Sequence, residues 1–420
     1  MKKHYPIFLG ILFFFPSVFQ AKTLVVREYG RGTPYSNLQQ AHNAATDGDT
    51  IAVDAAADGT WEEGTPVTIS KQVYLTTLQS RKLKLINGLE VKLLNNRKLT
   101  VTDLDSTSIS ISGTGELTIA NCVIISTVYC PNSVRLKLFK CKIESKIYTC
   151  HLVAFGNTFR AEVVIDSFYN AVDSILMIGN VLEKLVVFNT FKTVIFSNNY
   201  IKSNFCSYYS YSCDDAGTGV IVKNVNSDNS LIGRSIISNN TIYHKNVTAF
   251  GSILRVDNNL LNKKGKLLIY SNSFFADISG STGIFVICGN VPGGGNSPSF
   301  LDFAQEGNIS CNNFIAMRRH GTWTPQPTAS KNYYGNSIPA IDSLGRLSGP
   351  EFTDKGLDLP EFSDIDLTRN DIGTEGGPWP ISNFWGPNAS KAWVGWLDLP
   401  LKISTPSTPI QIKATGINKD

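Results

Sequence analysis

The chain has 420 residues, of which 42% are hydrophobic, enough for a sizeable core, and only 17% are charged. Its formal net charge of +4 includes Lys2 and Lys3 at the extreme N-terminus, and a balance this small and evenly spread argues against a nucleic-acid partner. The 34 glycines suit turn-rich β structure better than helix bundles.

Lys2 and Lys3 precede an apolar run over residues 7–15, and Ala21 offers a small residue beyond it. This is the pattern of a removable export signal over residues 1–21. The run is too short to span a bilayer and no later stretch is long enough, so the mature chain is expected to have no membrane span. It should be extracytoplasmic: secreted, periplasmic or at the cell surface. The first cysteine is Cys122, so no cysteine follows the cleavage point to carry a lipid.

Next, Ser36 is placed to cap a short amphipathic helix over residues 37–45, with Leu38, Ala41 and Ala45 on one face. Asp47, Gly48, Asp49 and Thr50 turn it into a strand over residues 51–53. Gly59, Thr60 and Trp61 then precede the alternating apolar residues Val67, Ile69, Val73 and Leu75.

From Glu116 onward the apolar pattern repeats. Leu117, Ile119, Cys122 and Ile124 recur as Leu136, Leu138, Cys141 and Ile143, and as Leu152, Ala154, Asn157 and Phe159. Further copies are Ile175, Met177, Asn180 and Leu182, then Val194, Phe196, Asn199 and Ile201. After an interruption come Ile237, Asn240 and Ile242, then Leu254, Val256, Asn259 and Leu261, then Leu267, Ile269, Asn272 and Phe274, with a weaker copy at Asn313 and Ile315. Each copy reads strand, bend, strand, and the period of two excludes a helix. The copies lie mostly 16 to 23 residues apart, the length of one coil of three short strands. The step from Asn259 to Asn272 is only 13, which implies a truncated coil or a shifted register. The expected fold class is an all-β parallel β-helix solenoid over residues 22–378, with a short N-terminal capping helix and an aromatic-rich C-terminal segment, 379–420.

Within that solenoid, Asn157, Asn180, Asn199, Asn240 and Asn259, with Cys122 and Cys141 in the same slot, should form a structural ladder whose side chains satisfy buried backbone groups at the bends. Stacked thiols and disulfides both remain open for the cysteines, although export favours oxidation. Cys206 and Cys213 are expected to close a small disulfide-pinned loop that carries Tyr208, Tyr209 and Tyr211 as candidate ligand-binding residues. Asp214 and Asp215 follow it. The residue after each copy reads Glu144, Arg160, Glu183, Lys202 and Tyr243, which predicts a column on one face. As a structural feature this is a ladder of alternating charge. As a site, its Arg160 and Lys202 would be candidate catalytic residues neutralising and deprotonating an acidic sugar, with Asp214 and Asp215 the candidates for hydrolysis. The positions that should face outward on the first strand hold Val153, Leu176, Ile195, Ile236 and Leu268. Strands apolar on both faces are covered on both faces, so the insertion at 203–232, the tail after Pro378 or another protein should lie along this side.

The order of capping helix, Gly48-Asp49-Thr50-Ile51 strand and Gly59-Thr60-Trp61 turn resembles the opening of right-handed β-helix proteins of the pectate-lyase-like superfamily. Asn332, Tyr333, Tyr334 and Gly335 are similar to a late coil of that superfamily. Asp364, Asp366, Arg369, Asn370, Asp371, Ile372, Gly373, Gly376, Gly377 and Pro378 are similar to an ending common in its exported bacterial members. The resemblance implies a right-handed parallel β-helix, but it names no specific enzyme family, because this fold hosts lyases, hydrolases, esterases and binding proteins. Arg319, His320 and Gly321 match a tripeptide of one lyase family of this fold without its flanking coils. The function expected is binding of glycan, or of a partner protein at the cell surface, without catalysis. The alternative is a lyase or glycoside hydrolase of acidic polysaccharide. No cofactor is implied, no zinc ligand spacing is present, and acids in loops leave calcium open.

Overall fold

The computed structural model describes residues 21–27, 31–54, 60–61, 66–78, 83–85, 87–106, 108–131, 133–149, 151–165, 174–184, 186–188, 193–204, 220–222, 235–247, 254–256, 267–278, 309–311, 314–319, 333–335, 338–359, 362–385, 393–398 and 413–417. Through them runs a parallel β-helix. Its strands build three stacked sheets, which contain thirteen, twelve and six strands among the described residues. Every pairing in these sheets is parallel, and each strand pairs with its counterpart one coil away, as Leu136–Leu152–Ile175–Val194 do in the first sheet.

The expected inward residues make one continuous core. Leu117, Leu136, Leu152, Ile175 and Val194 are at most 1% exposed, as are Ile124, Ile143, Phe159, Leu182 and Ile201. Coils stacked at about 4.8 Å bury nearly all of each aliphatic side chain, which is worth ~1.5–3 kcal/mol apiece.

The N-terminal end is closed by helix α1, Leu38–Ala44, with Leu38 and Ala41 buried. Its cap is Asn37, whose Oδ1 accepts from the N–H of Gln40 at 2.8 Å, whereas Ser36 turns its hydroxyl to the Gln40 side chain. The Asx cap one residue later than expected still removes one orphan donor. Asp49 follows the left-handed Gly48 (φ +98°) and ties the turn together, accepting from the N–H of Lys22 and from both the N–H and hydroxyl of Thr46.

Residues 254–256 depart from the expected register. They pair with Val220–Val222 in the six-stranded sheet, and the first sheet passes from Ser235–Ser238 to Leu267–Tyr270. Asn240 therefore hands on to Asn272, 32 residues later, and Asn259 lies outside the described residues.

Residues 338–385 add no coil. The described stretches 338–359 and 362–385 run back as a strap over the outside of the solenoid, and the boundary expected at 378 falls inside the second. Ile338, Ile341, Leu347, Phe352 and Ile372 pack around Phe275. Leu357 and Phe362 lie on Tyr270 and Ile236. Trp379, Phe384 and Trp385 cover Val153, Leu176 and Ile195 together with Phe139, Phe155 and Ile178. Residues after Pro378 thus cover Val153, Leu176 and Ile195 of the outer apolar stripe, whereas Ile236 is covered by Leu357 and Phe362, which precede Pro378. The strap docks on a row of left-handed corner residues, Gly156, Gly179, Asn198, Asn239 and Ser271, each immediately before a ladder asparagine. Asn198 donates to the carbonyls of Thr374 and Gly376, Asn239 donates to Asn370 and Asp371, and the Ser271 hydroxyl accepts from the N–H of Leu357.

Candidate functional site

At the bend between the first two sheets, each ladder asparagine uses its whole amide. Asn180 Nδ2 donates to Asn199 Oδ1 (2.9 Å) and to the carbonyl of Ala154 (3.0 Å), and Asn180 Oδ1 accepts from the N–H and Nδ2 of Asn157 (both 2.9 Å). Asn199, Asn240 and Asn272 continue the pattern, and Asn157, Asn180, Asn199, Asn240 and Asn272 are fully buried. Cys141 and Cys122 occupy the same slot as buried thiols, with Cys130 a third. The Cys141 sulfur points at the carbonyl of Ile119 (3.3 Å), one coil back, as Asn157 Nδ2 does at Leu138. Burial pushes the Cys122 thiol well above its usual range, and its contact with Cys141 adds to this. Buried neutral thiols are poor nucleophiles, so this column is structural.

The charged column stands on the corner after the second sheet. The N–H of Glu144, Arg160 and Glu183 each donates to a carbonyl of the coil before, at 2.8–2.9 Å, which stacks the three side chains one coil apart. Arg160 reaches both carboxylate oxygens of Glu144 at 3.2 Å and lies 3.7 Å from Glu183, while Lys142 meets Glu144 at 2.6 Å. The hydrogen bond from Lys142, then that from Arg160, holds the Glu144 carboxyl below its usual range. Lys202 follows at the exposed end, in backbone register with Tyr243. Arg160 is thus shared between two carboxylates rather than set aside for a substrate acid group. Asp214, Asp215, Tyr208, Tyr209, Tyr211, Cys206 and Cys213 lie outside the described residues, as do His320 and Gly321.

Beside this column, the six-stranded sheet begins with a pair of tyrosines that the repeat could have revealed. Tyr129 and Tyr148 are 19 residues apart, the step that separates Cys122 from Cys141. They are paired in register and their rings are stacked, with centroids 4.9 Å apart and planes within 4°. Tyr129 is 66% exposed. One coil back, at the start of the strand Ile109–Ala120, the N–H of Ile109 donates to the Ser126 hydroxyl and Ser110 is exposed. Lys146, bound to Glu162 at 2.6 Å, flanks the pair.

The strap carries the other cluster of acids. Asp364 accepts from the N–H groups of Asp371 and Gly377. Burial, together with the nearby charges of Asp371 and Asp366, pushes its pKa up to about 6 against those two hydrogen bonds. Burial also raises Asp371 and Glu375. No group of three or more metal-ligating side chains is arranged to hold an ion among the described residues. Because the folded chain holds the Asp364 proton more tightly than the unfolded one, the strap gains stability from Asp364 at low pH and loses it as pH rises through about 6. Asp364→Asn, which keeps the acceptor and removes the charge, should flatten that dependence. The strap of the native chain should be weaker at pH 7 than at pH 5 by on the order of 1 kcal/mol after solvent screening, measured by proteolysis of the strap at the two pH values.

No helix of the described residues is long and apolar enough to cross a membrane. No protein-family profile matches the chain, and no curated protein matches it. Among solved structures, the crystal structure of pectate lyase Pel9A is similar at 12% identity with a TM-score of 0.35, over 85% of this chain and 97% of that one. By its own strand order and register the chain is a parallel β-helix, the architecture that the resemblance to the pectate-lyase-like superfamily implies.

Proposed function

We propose that the chain is an exported, non-catalytic β-helix module that binds glycan on the outer face of its six-stranded sheet. The observation that carries this reading is the Tyr129–Tyr148 stack, in which Tyr129 is 66% exposed. A stacked pair is rigid, so little side-chain entropy is lost when a sugar ring seats its apolar face on the open tyrosine, and neighbouring polar groups meet its hydroxyls. Export rests on the leader pattern of residues 1–21. Against catalysis, the candidate base Arg160 is held by Glu144 and Glu183, and an arginine so paired is a poor proton acceptor.

Affinity electrophoresis of the mature chain through gels containing neutral and uronate polysaccharides tests the reading. Retardation by at least one polymer is expected, and Tyr129→Ala should weaken it about tenfold, the loss of roughly 1.4 kcal/mol of stacking. The same polymers should release no unsaturated uronate and no reducing ends. Product formation abolished by Arg160→Ala or Lys202→Ala would replace this reading with a lyase.

A further inference from the structure

Helix α1 is seated on the solenoid through one buried imidazole. His42 is 4% exposed, and its Nε2 accepts from two backbone N–H groups, those of Ser70 (3.0 Å) and Lys71 (3.2 Å), on the turn after strand Val67–Ile69. A nitrogen that accepts twice carries no proton, so the ring is the neutral Nδ1–H tautomer. Nδ1 lies 3.3 Å from the side-chain nitrogen of Gln39, a contact that is no hydrogen bond in this tautomer because both nitrogens are donors; the Gln39 oxygen accepts from the N–H of Thr68 at 2.9 Å. The charged groups around the ring are mostly cationic. Lys71 sets its ammonium on the carbonyls of His42, Asn43 and Ala45 at 2.7–2.8 Å, closing the C-terminal end of α1. Arg97 donates to the Ser70 carbonyl at 2.8 Å. Among the described residues the acids on this side are committed elsewhere: Asp47 takes Arg97 at 3.1 Å and the N–H of Gln72, Asp49 takes Thr46 and Lys22, and Glu90 takes the Thr68 hydroxyl at 2.7 Å and Lys92 at 3.1 Å.

We propose that α1 is an acid-sensitive latch, and that a proton on His42 unseats the helix and uncovers the N-terminal end of the core. A proton on Nε2 turns both hydrogen bonds into N–H groups facing N–H groups, and it adds a cation beside Lys71 without a carboxylate bonded to the ring among the described residues. Burial first, and Lys71 second, hold His42 below its ordinary value of 6.5, against a smaller upward pull from Asn43. The stability supplied by this seat is therefore complete above pH 6.5 and is lost as pH falls through the lower folded value. Release exposes the apolar residues that Leu38 and Ala41 cover, at the end of the core where Thr23–Arg27 is the first described strand of its sheet.

Hydrogen exchange of the full chain, read by mass spectrometry and corrected for the intrinsic rate, tests this between pH 7.5 and 5.0. Peptides covering residues 38–45 and 67–72 should lose protection about tenfold or more, while those covering the ladder from 141 to 199 should not. His42→Gln, which can accept through its amide oxygen but does not titrate, should abolish the change. Protection that is independent of pH, or that falls equally in the variant, overturns the latch. Should the variant fail to fold, the NMR titration of the His42 ring in the native chain decides: a midpoint below 6.5 supports the latch and one at or above 6.5 overturns it.

Discussion

Asn199→Ala is expected to destabilise the solenoid by about 4 kcal/mol in equilibrium urea unfolding, because it strips partners from several buried groups at once. The amide of Asn199 accepts from both the N–H and Nδ2 of Asn180 (3.0 and 2.9 Å) and donates to the Met177 carbonyl (2.9 Å) and to Asn240 Oδ1 (3.1 Å). Asn240 Oδ1 keeps a second donor, the backbone N–H of Asn199, and Asn180 Nδ2 keeps its bond to the Ala154 carbonyl. The four hydrogen bonds lost are all buried, and each buried donor or acceptor position left open costs ~1–3 kcal/mol, less whatever a trapped water recovers. Asn199→Asp separates hydrogen bonding from shape. It keeps the acceptor oxygen but faces a carboxylate oxygen toward the Met177 carbonyl and Asn240 Oδ1, so at neutral pH it should destabilise at least as much as alanine. If either variant unfolded within 1 kcal/mol of the native chain, the asparagine column would be a by-product of the bend and not what holds it.

The column also marks how far the sequence could be read. Side chains at the slot are identical from Asn157 onward and the inward positions are aliphatic, so the coil repeat is visible as a spacing. What is not visible is which of three sheets a short apolar strand joins. Leu254 and Val256 satisfy the same spacing rule as Ile237 and Ile269, yet they stack on Val220–Val222, because any inward pair of residues two apart reads alike. The strap left a fainter mark. Each ladder asparagine in the strap-covered coils follows a Gly, Asn or Ser, residues that tolerate the left-handed corner, but which corners are left small and which carry an amide depends on what lies over them. Gly156 and Gly179 lie under Phe384, whereas Asn198 and Asn239 face the strap's backbone. A contact between residues more than 200 positions apart, as Trp385 and Gly179 are, leaves no local period. The Tyr129–Tyr148 stack was legible in principle, since it repeats the 19-residue step of the cysteines, but only to a reading that followed the repeat past its second strand.

That long-range contact supports the second large effect. Phe384 is 3% exposed, stacks on Phe155 with centroids 6.2 Å apart, and lies directly over Gly179; Trp385 beside it donates to the Gly179 carbonyl at 2.7 Å. Phe384→Ala should weaken strap docking by ~3–5 kcal/mol, the cost of emptying a buried aromatic site. Because the coils beneath keep their own core, the loss should be local. Cleavage within residues 338–385 should accelerate by about a hundredfold or more, at about tenfold per 1.4 kcal/mol, while far-ultraviolet circular dichroism of the solenoid stays unchanged. Gly179→Ala attacks the same contact from below. Its φ is +66°, which costs an alanine roughly 1–2 kcal/mol, and the new methyl would sit 2.2 Å from the Phe384 ring. In the Phe384→Ala background that collision is gone and only the backbone cost remains. The two substitutions should therefore be strongly non-additive, with the double variant little worse than Phe384→Ala alone. Additive losses would mean that the ring does not rest on this corner, and that some other part of the strap holds the outer face closed.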